Sequence, residues 1–310
     1  MRFLVTGGAG YIGSILVPAL LHAGHEVTVL DNFMYGQTSL LDVCHHPHLH
    51  IIRGDVRDYA LMRYQVPQTD VIIPLACLTG APLCARHPHE AEHIIIDALK
   101  EMIAMMSPQQ MMIYPTTNSG YGIGQEGTYC TEETPLNPVS LYGRLKVEAE
   151  RIVLDHGNSV TLRLATVFGV SPRMRLDLLV NDFVHRAVAD RFIVLFEPHF
   201  KRNYIHVRDV TRAFIHVLDN FSGMKNETYN VGLSDANISK WELCEIIKKE
   251  ITDFHFMEAP LAQDPDKRNY IVSNDKIERT GFKPDISLND GIRELIKGFQ
   301  IIKRNQFSNI

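Results

Sequence analysis

Residues 2–13, RFLVTGGAGYIG, give the strongest indication of how this chain folds. The stretch opens with a short apolar run that ends at Thr6, and a glycine then stands at every third position: Gly7, Gly10 and Gly13. Apolar residues recur at helical spacing as far as Leu20, and Gly24 gives the helix a stop. A strand, a glycine turn and a helix in this order are the setting of a dinucleotide-binding loop. The glycines let the backbone approach a pyrophosphate, and the start of the helix offers it free N–H groups.

The next strand indicates which dinucleotide binds. Residues 26–30, EVTVL, are typical of a buried strand, and Asp31 and Asn32 follow them directly. A carboxylate at this point can accept hydrogen bonds from both ribose hydroxyls of the adenosine. It also repels a 2′-phosphate, so the sequence favours NAD over NADP. The alternative is that Asp31 only caps a turn.

Strands and helices alternate through the first half of the chain. Further strands are predicted over residues 50–53, 70–73, 111–114 and 160–164. A helix is predicted over residues 91–106, with a methionine-rich end suited to core or subunit packing. This alternation predicts an α/β fold, a doubly wound parallel Rossmann sheet. From residue 171 the elements become shorter. We therefore predict an NAD-binding Rossmann domain over residues 1–170 and a smaller, interleaved C-terminal α/β substrate lobe over residues 171–310.

Composition argues against several classes of function. The 310 residues are 45% hydrophobic and 22% charged, as in an ordinary soluble protein, and the net charge of −5 provides no basic field for nucleic acid. The five cysteines are scattered, which is typical of reduced thiols, and four histidines within residues 45–50 lack ligand spacing. The first residues run straight into a strand, and no apolar run approaches membrane-spanning length. We expect a cytoplasmic protein that binds no nucleic acid, membrane or metal.

Residues 141–146, LYGRLK, carry a candidate catalytic pair, Tyr142 and Lys146. Four residues on a helix are slightly more than one turn, so both side chains leave the same face. A free tyrosine titrates near pH 10, but a fixed ammonium group beside it stabilises the phenolate and lowers its pKa. Such a pair can take the proton from a substrate hydroxyl while a hydride leaves the same carbon. The spacing alone is common on surface helices, so the interpretation depends on the preceding segments.

These segments together resemble the extended short-chain dehydrogenases, in the nucleotide-sugar epimerase/dehydratase branch. The resemblance spans essentially the whole chain. It rests on TGGAGYIG (6–13), Asp31, GDV (54–56), YPTTNSGYG (114–122), the pair Tyr142 and Lys146, RNYIHVRDV (202–210) and YNVG (229–232).

The resemblance implies a role for each matching residue. Thr117 would hydrogen-bond the reacting sugar oxygen, Tyr142 would be the general base, and Lys146 would hold the nicotinamide ribose and lower the pKa of Tyr142. The implied NAD site consists of Gly7, Gly10, Tyr11, Ile12, Gly13, Asp31, Asn32, Asp55, Val56, Leu75, Ala76, Tyr142 and Lys146, with Asp55 accepting from the adenine amino group. The implied site for a nucleoside-diphosphate sugar consists of Thr117, Thr166, Arg173, Asn181, Arg202 and Arg268, with Arg202 and Arg268 on the diphosphate. Arg173 and Arg175 are either further contacts or solvated side chains.

The chain departs from the family pattern at several positions. Many relatives carry His, Asn and Asn where this chain has Pro74, Ile95 and Thr166. The first two differences affect packing around the cofactor, and the third affects how the substrate is held. The 4,6-dehydratases place acids directly after the catalytic Thr, because they move a proton from C5 and protonate the leaving hydroxyl. Here Asn118 and Ser119 follow Thr117, and neither does that work at neutral pH. A dehydratase is therefore disfavoured.

The resemblance leaves several functions open. Oxidation at C4 gives a 4-keto sugar, which is the product of a 4-dehydrogenase or the intermediate of a 4-epimerase. The RMRLDLLVN and NSGYG segments look most like members acting on capsule or lipopolysaccharide sugars, which implies a GDP-linked manno-heptose. The alternatives are a UDP-sugar 4-epimerase, a UDP-uronate decarboxylase (which usually has a Glu near Ser119) and a non-catalytic NAD-binding regulatory protein. The resemblance also implies a homodimer, formed through a four-helix bundle of the helices at Ala91 and Ser140.

Overall fold

The computed structural model describes residues 1–259 and 268–302. Its strands are β1 (Arg2–Thr6), β2 (Glu26–Asp31), β3 (Leu49–Arg53), β4 (Val71–Pro74), β5 (Met111–Thr117), β6 (Tyr129–Cys130), β7 (Ser159–Leu164), β8 (Thr166–Phe168), β9 (Phe192–Leu195), β10 (Lys201–His206), β11 (Glu227–Val231), β12 (Asn237–Ser239), β13 (His255–Glu258) and β14 (Ile271–Val272). Its α-helices are α1 (Gly13–His22), α2 (Tyr59–Gln65), α3 (Ala81–Arg86), α4 (Pro88–Glu92), α5 (Ala98–Ala104), α6 (Leu141–His156), α7 (Leu179–Ala189), α8 (Val207–Asp219), α9 (Phe221–Met224), α10 (Lys240–Glu250), α11 (Asp275–Glu278) and α12 (Leu288–Gly298).

The main sheet has the order β11-β7-β5-β4-β1-β2-β3, and these seven strands of the described chain are parallel. This confirms the predicted doubly wound α/β fold. The strand order reverses at β1, which has β4 on one side and β2 on the other. Ligands of such sheets bind beyond the carboxyl ends of the strands at this reversal, which is where the glycine turn lies.

Both faces of the sheet are covered. Along β1, Phe3 and Val5 pack into one hydrophobic cluster and Leu4 into another, because successive side chains of a strand point to opposite faces. A strand buried on both faces reads as a continuous apolar run, as β1 and β4 do. At the sheet edge, β3 leaves Ile51 exposed.

The C-terminal part of the chain returns to the main sheet. β11 lies within residues 171–310, which the sequence assigned to the lobe, yet it pairs with β7 in parallel and extends the main sheet. The smaller sheets are β12-β10-β8, β13-β9 and β14-β6. In the last of these, Ile271 and Val272 pair with Tyr129 and Cys130. Segments far apart in the sequence therefore build both parts of the fold.

The predicted helix over residues 91–106 is observed as α4 and α5, joined by a π-helical segment, His93–Asp97. The methionine-rich end of this helix has an explanation within the chain. Met102 is buried in the second hydrophobic cluster, and Met105 and Met106 pack against the same cluster. Among the described residues, no helix is both long and apolar enough to cross a membrane.

Candidate active site

A cavity of about 930 Å³ lies beyond the carboxyl ends of the central strands. Of the residues that the sequence assigned to the site, the structure brings the following together around it: Gly7, Gly10, Tyr11, Ile12, Gly13, Asp31, Asn32, Asp55, Val56, Leu75, Ala76, Thr117, Tyr142, Lys146, Thr166, Arg173, Arg202 and Arg268. These residues come from many separate segments of the chain. Their convergence on one cavity is what a shared site for a dinucleotide and a second ligand requires.

Asn181 does not line this cavity, contrary to its predicted place in the substrate site. It is fully buried on α7, where its Oδ1 accepts from the Gly169 backbone and its Nδ2 donates to the Tyr11 hydroxyl and the Arg175 carbonyl. These bonds occupy both ends of the amide. Asn181 therefore stabilises the glycine turn through its hydrogen bond to Tyr11.

The glycine turn is shaped for a close backbone approach. Gly7 has φ +68°, and a Cβ built there would lie 2.6 Å from the backbone nitrogen of Ala76 at the end of β4. The turn leads into α1, whose start carries no capping side chain from the described residues. A helix start without such a cap leaves N–H groups for phosphate oxygens. The turn therefore fits the pyrophosphate of a dinucleotide.

Asp31 serves two purposes. Its carboxylate accepts from the backbone N–H groups of Ala9 and Phe33 at 3.0 and 2.8 Å, and from Gln37 Nε2 at 3.2 Å. Burial raises the pKa of Asp31, and these hydrogen bonds oppose the rise. The residue thus caps a turn, which was the alternative interpretation, and also lines the cavity where an adenosine ribose is expected.

Asp55 already has a strong partner that the sequence analysis missed. The guanidinium group of Arg57 donates to both of its oxygens, at 2.8 and 2.7 Å. These bonds lower the pKa of Asp55 to about 2. Asp55 lines the cavity as predicted, but its carboxylate is bound to Arg57. The only signal in the sequence was the presence of an arginine two residues downstream.

The candidate catalytic residues come from β5 and α6. Ser140 caps α6 by accepting from the Gly143 N–H at 3.1 Å, which fixes the start of the helix that carries Tyr142 and Lys146. Thr117 ends β5. Its hydroxyl donates to Ser119 Oγ at 2.9 Å and accepts from the Ser119 N–H at 3.1 Å.

Arg268 also reaches this turn. Its guanidinium group donates to Ser119 Oγ, which also accepts from the Thr117 hydroxyl. Arg268, which was expected at the diphosphate, is therefore linked to Thr117 through Ser119. The sequence analysis gave Ser119 no role in the site. Since the two residues are 149 positions apart, no local pattern could have indicated their contact.

Tyr142 is more difficult to ionise than the sequence suggested. Burial raises its pKa to about 12 and the Cys77 thiol adds to the rise, whereas the positive charges of Lys146 and Arg175 lower it. Lys146 acts in the expected direction, but burial outweighs it in the protein alone.

Two arginines precede α7 at the edge of the cavity. The Arg173 guanidinium carbon lies 4.4 Å from the centre of the Tyr35 ring, which follows Asp31 closely in the chain. Arg175 forms an ion pair with Asp177, with Nη2 and Oδ2 2.5 Å apart. Both arginines line the cavity. Arg173 therefore lies beside the segment expected to hold the adenosine, although the sequence assigned it to the substrate.

A buried ion pair supports the turn that carries Thr117. Glu150 and Arg163 are joined at 2.7 Å, with side chains only 6% and 7% exposed. Glu150 also accepts from Thr116 Oγ1 at 2.8 Å, and Arg163 donates to the Tyr121 hydroxyl at 3.0 Å. Thr116 and Tyr121 flank the turn of residues 117–120. The pair therefore fixes both ends of the turn.

Known proteins are similar to this chain in sequence or in fold. UDP-glucuronic acid decarboxylase 1 of Arabidopsis thaliana is 27% identical over 314 residues, which cover 97% of this chain and 70% of the relative. The dTDP-glucose 4,6-dehydratase of Streptomyces niveus is 26% identical over 319 residues, which cover 97% of this chain and 93% of the relative. The crystal structure of the UDP-glucose 4-epimerase of Thermotoga maritima with UDP-glucose has a TM-score of 0.85 at 24% identity, covering 97% of this chain and 99% of that one.

The fold and the glycine turn place this chain among the NAD-binding α/β enzymes. A sequence model described as "NAD dependent epimerase/dehydratase family" matches residues 3–232, more than half of the chain. The chain belongs to that family. It is therefore an enzyme that depends on NAD, in a family of nucleotide-sugar epimerases, dehydratases and decarboxylases.

Proposed function

We propose that this enzyme oxidises the C4 hydroxyl of a sugar carried by a nucleoside diphosphate and produces a 4-keto sugar. The observation that carries this proposal is that Thr117, Tyr142 and Lys146 line one cavity together with the glycine turn and Asp31. A hydroxyl oxidation by NAD needs a base for the proton and a fixed place for the departing hydride. Tyr142 would be the base, and the glycine turn and Asp31 would hold the NAD that accepts the hydride.

NAD, when bound, would supply the hydride acceptor and a positive charge that favours the phenolate of Tyr142. Tyr142 takes the proton of the sugar hydroxyl, and its phenolate is stabilised by the charges of Lys146 and Arg175. Thr117 hydrogen-bonds the same sugar oxygen and fixes its direction. To do so, the Thr117 hydroxyl turns from Ser119 Oγ, its present acceptor, toward the sugar. Arg202 and Arg268 line the cavity and suit the diphosphate, because a planar guanidinium matches phosphate oxygens.

The 4-keto sugar has two fates. If it turns over in the site and recovers the hydride on its other face, the enzyme is a 4-epimerase, and if it leaves, the enzyme is a 4-dehydrogenase. Neither fate needs another acid or base. A 4,6-dehydratase does, and the turn after Thr117 offers only a buried amide at Asn118 and the Ser119 hydroxyl.

Decarboxylation of a UDP-linked uronic acid is the second candidate. The similarity to UDP-glucuronic acid decarboxylase 1 favours it, as does the Arg268 guanidinium next to Ser119, where a positive charge suits a substrate carboxylate. The serine at 119 argues against it, because this reaction usually has a glutamate near that position. UDP-sugar 4-epimerisation is a candidate of the same rank as this decarboxylation, because the fold is similar to that of a UDP-glucose 4-epimerase.

For the substrate we propose a GDP-linked manno-heptose. Support comes from the RMRLDLLVN and NSGYG segments, in which Arg173, Arg175 and Ser119 line the cavity. The test is to incubate the purified enzyme with GDP-, UDP-, CDP- and dTDP-sugars. NADH absorbance, with and without an added keto acceptor, separates net oxidation from epimerisation, and nuclear magnetic resonance of the products identifies the altered carbon. If no nucleotide sugar is oxidised, epimerised or decarboxylated, the proposal fails.

We also propose that two copies associate through α4, α5 and α6, as the resemblance implies. The outward side chains of these helices carry mixed charges, including exposed Lys100 and Glu148, which already pair within one chain at 3.7 Å. A surface that carries both positive and negative side chains can pair with the same surface of a second copy related by a two-fold axis. Light scattering after gel filtration tests this proposal, and a monomer at all concentrations contradicts it.

A further inference from the structure

Lys146 has a partner that neither its motif nor its spacing indicates. Its Nζ donates to the hydroxyl of Tyr114 at 2.9 Å and lies 4.1 Å from the centre of the same ring. Both residues are only 4% exposed. A buried ammonium group needs partners that replace water, and a phenol offers an oxygen lone pair and a negative ring face. Tyr114 offers both.

Tyr114 suits this task because it stays neutral. Burial raises its pKa well above the ordinary value, so its hydroxyl keeps its proton and accepts from Lys146. Tyr114 lies on β5, three residues before Thr117. The same strand therefore carries Thr117 and the residue that binds Lys146. The other titratable groups that act on Tyr114 or Tyr142 are Glu150, on the same helix α6, Cys77 after β4 and Arg175 before α7.

We propose that Tyr114 is a positioning residue that holds the ammonium group of Lys146 in place for catalysis. This inference rests on the proposed function of the site. Lysine has three N–H donors, and the bond to Tyr114 takes one and fixes the direction of the other two. Those two N–H groups would be available to the ribose of bound NAD, and the fixed charge lowers the pKa of Tyr142. Tyr114 itself touches no reacting atom.

Tyr114→Phe tests the proposal, because it removes one oxygen and keeps the ring under Lys146. We expect kcat to fall about tenfold, as for loss of one hydrogen bond to a charged group, with KM changed less than about twofold. Without the bond to Tyr114, the Lys146 charge is held less firmly and lowers the pKa of Tyr142 by a smaller amount. The acid limb of the kcat–pH profile should therefore move to higher pH. The affinity for NAD should also fall, which can be measured without any sugar.

The matched control is Tyr204→Phe. Tyr204 is fully buried as well, and its hydroxyl has no hydrogen-bond partner within the described chain. This variant should leave kcat, its pH profile and NAD affinity unchanged. If both variants lower kcat alike and neither moves the pH profile, Tyr114 acts only through stability and the proposal is overturned.

A double-mutant comparison separates this role from the proposed function. In a Lys146→Met background, Tyr114→Phe should have no further effect on NAD affinity or on residual turnover. An equal loss in both backgrounds means that Tyr114 does not act through Lys146, which overturns the inference. If no nucleotide sugar is turned over, the proposed function fails, while the NAD affinities of the four proteins still decide the role of Tyr114.

Discussion

Replacing Gly7 by Ala should damage the protein far more than the same change at Gly24. Both glycines have positive φ, +68° and +81°, so an alanine at either position costs about 1 kcal/mol in backbone conformation. At Gly24 the new Cβ meets nothing within 4 Å, whereas at Gly7 it would lie 2.6 Å from the Ala76 nitrogen and 2.8 Å from the Leu75 carbonyl carbon. These are backbone atoms of the strand end and cannot rotate away. Overpacking of this kind costs a further amount of about 1–3 kcal/mol.

The melting temperature converts these energies into an observable. An unfolding entropy of about 2.1 cal/mol/K per residue over 310 residues makes 1 kcal/mol equal to about 1.5 °C. Gly7→Ala should therefore lower the melting temperature by about 3–6 °C, and Gly24→Ala by about 1.5 °C. Calorimetry measures both, and titration with NAD should show weaker binding only for Gly7→Ala. Equal melting temperatures in the two variants, with equal NAD affinity, would refute the close approach at Gly7.

The remaining predictions concern the base, the buried charges and the cofactor. Tyr142→Phe should abolish nearly all turnover while NAD still binds, and unchanged rates would end the assignment of the base. Binding of NAD⁺ should lower the pKa of Tyr142 from about 12, because positive charge stabilises the phenolate. Activity should then rise with pH through this pKa, and an ultraviolet titration of phenolate with and without NAD⁺ checks the shift. Glu150→Gln breaks a buried ion pair and should cost about 3 kcal/mol of unfolding free energy, whereas the exposed Glu148→Gln should cost less than about 0.5 kcal/mol, as denaturant unfolding can show. Arg173→Ala removes the guanidinium over the Tyr35 ring and should speed NAD release in a dilution assay, and an unchanged release rate would place Arg173 outside the cofactor site.

Much of the site could be predicted because its signals are local. The glycine turn, Asp31 at a strand end and the Tyr142–Lys146 spacing each involve residues close together in the chain, so the backbone conformation alone brings them into position. The parallel sheet then carries these segments to one edge, because parallel strands end on the same side. For this reason nearly all of the predicted residues line one cavity.

The contacts that the sequence did not indicate join residues far apart in the chain or depend on the local turns and packing of this protein. Asn181 matches a family position, but it is bound to Tyr11, 170 positions away. Asp55 is occupied by Arg57, a contact that depends on the turn between them. The pKa of Tyr142 depends on the burial of its side chain, which is a property of the packed protein and not of the motif.

The fold class, the use of NAD and the candidate base could be predicted from the chain alone, because each depends on residue type and short spacing. The groups that surround those residues are known only from the folded protein. The tertiary structure joins Lys146 to Tyr114 across 32 positions and Arg268 to Ser119 across 149. Hydrogen bonds and burial act over a few ångströms in space, whatever the separation along the chain, and so no reading of neighbouring residues could have supplied these contacts.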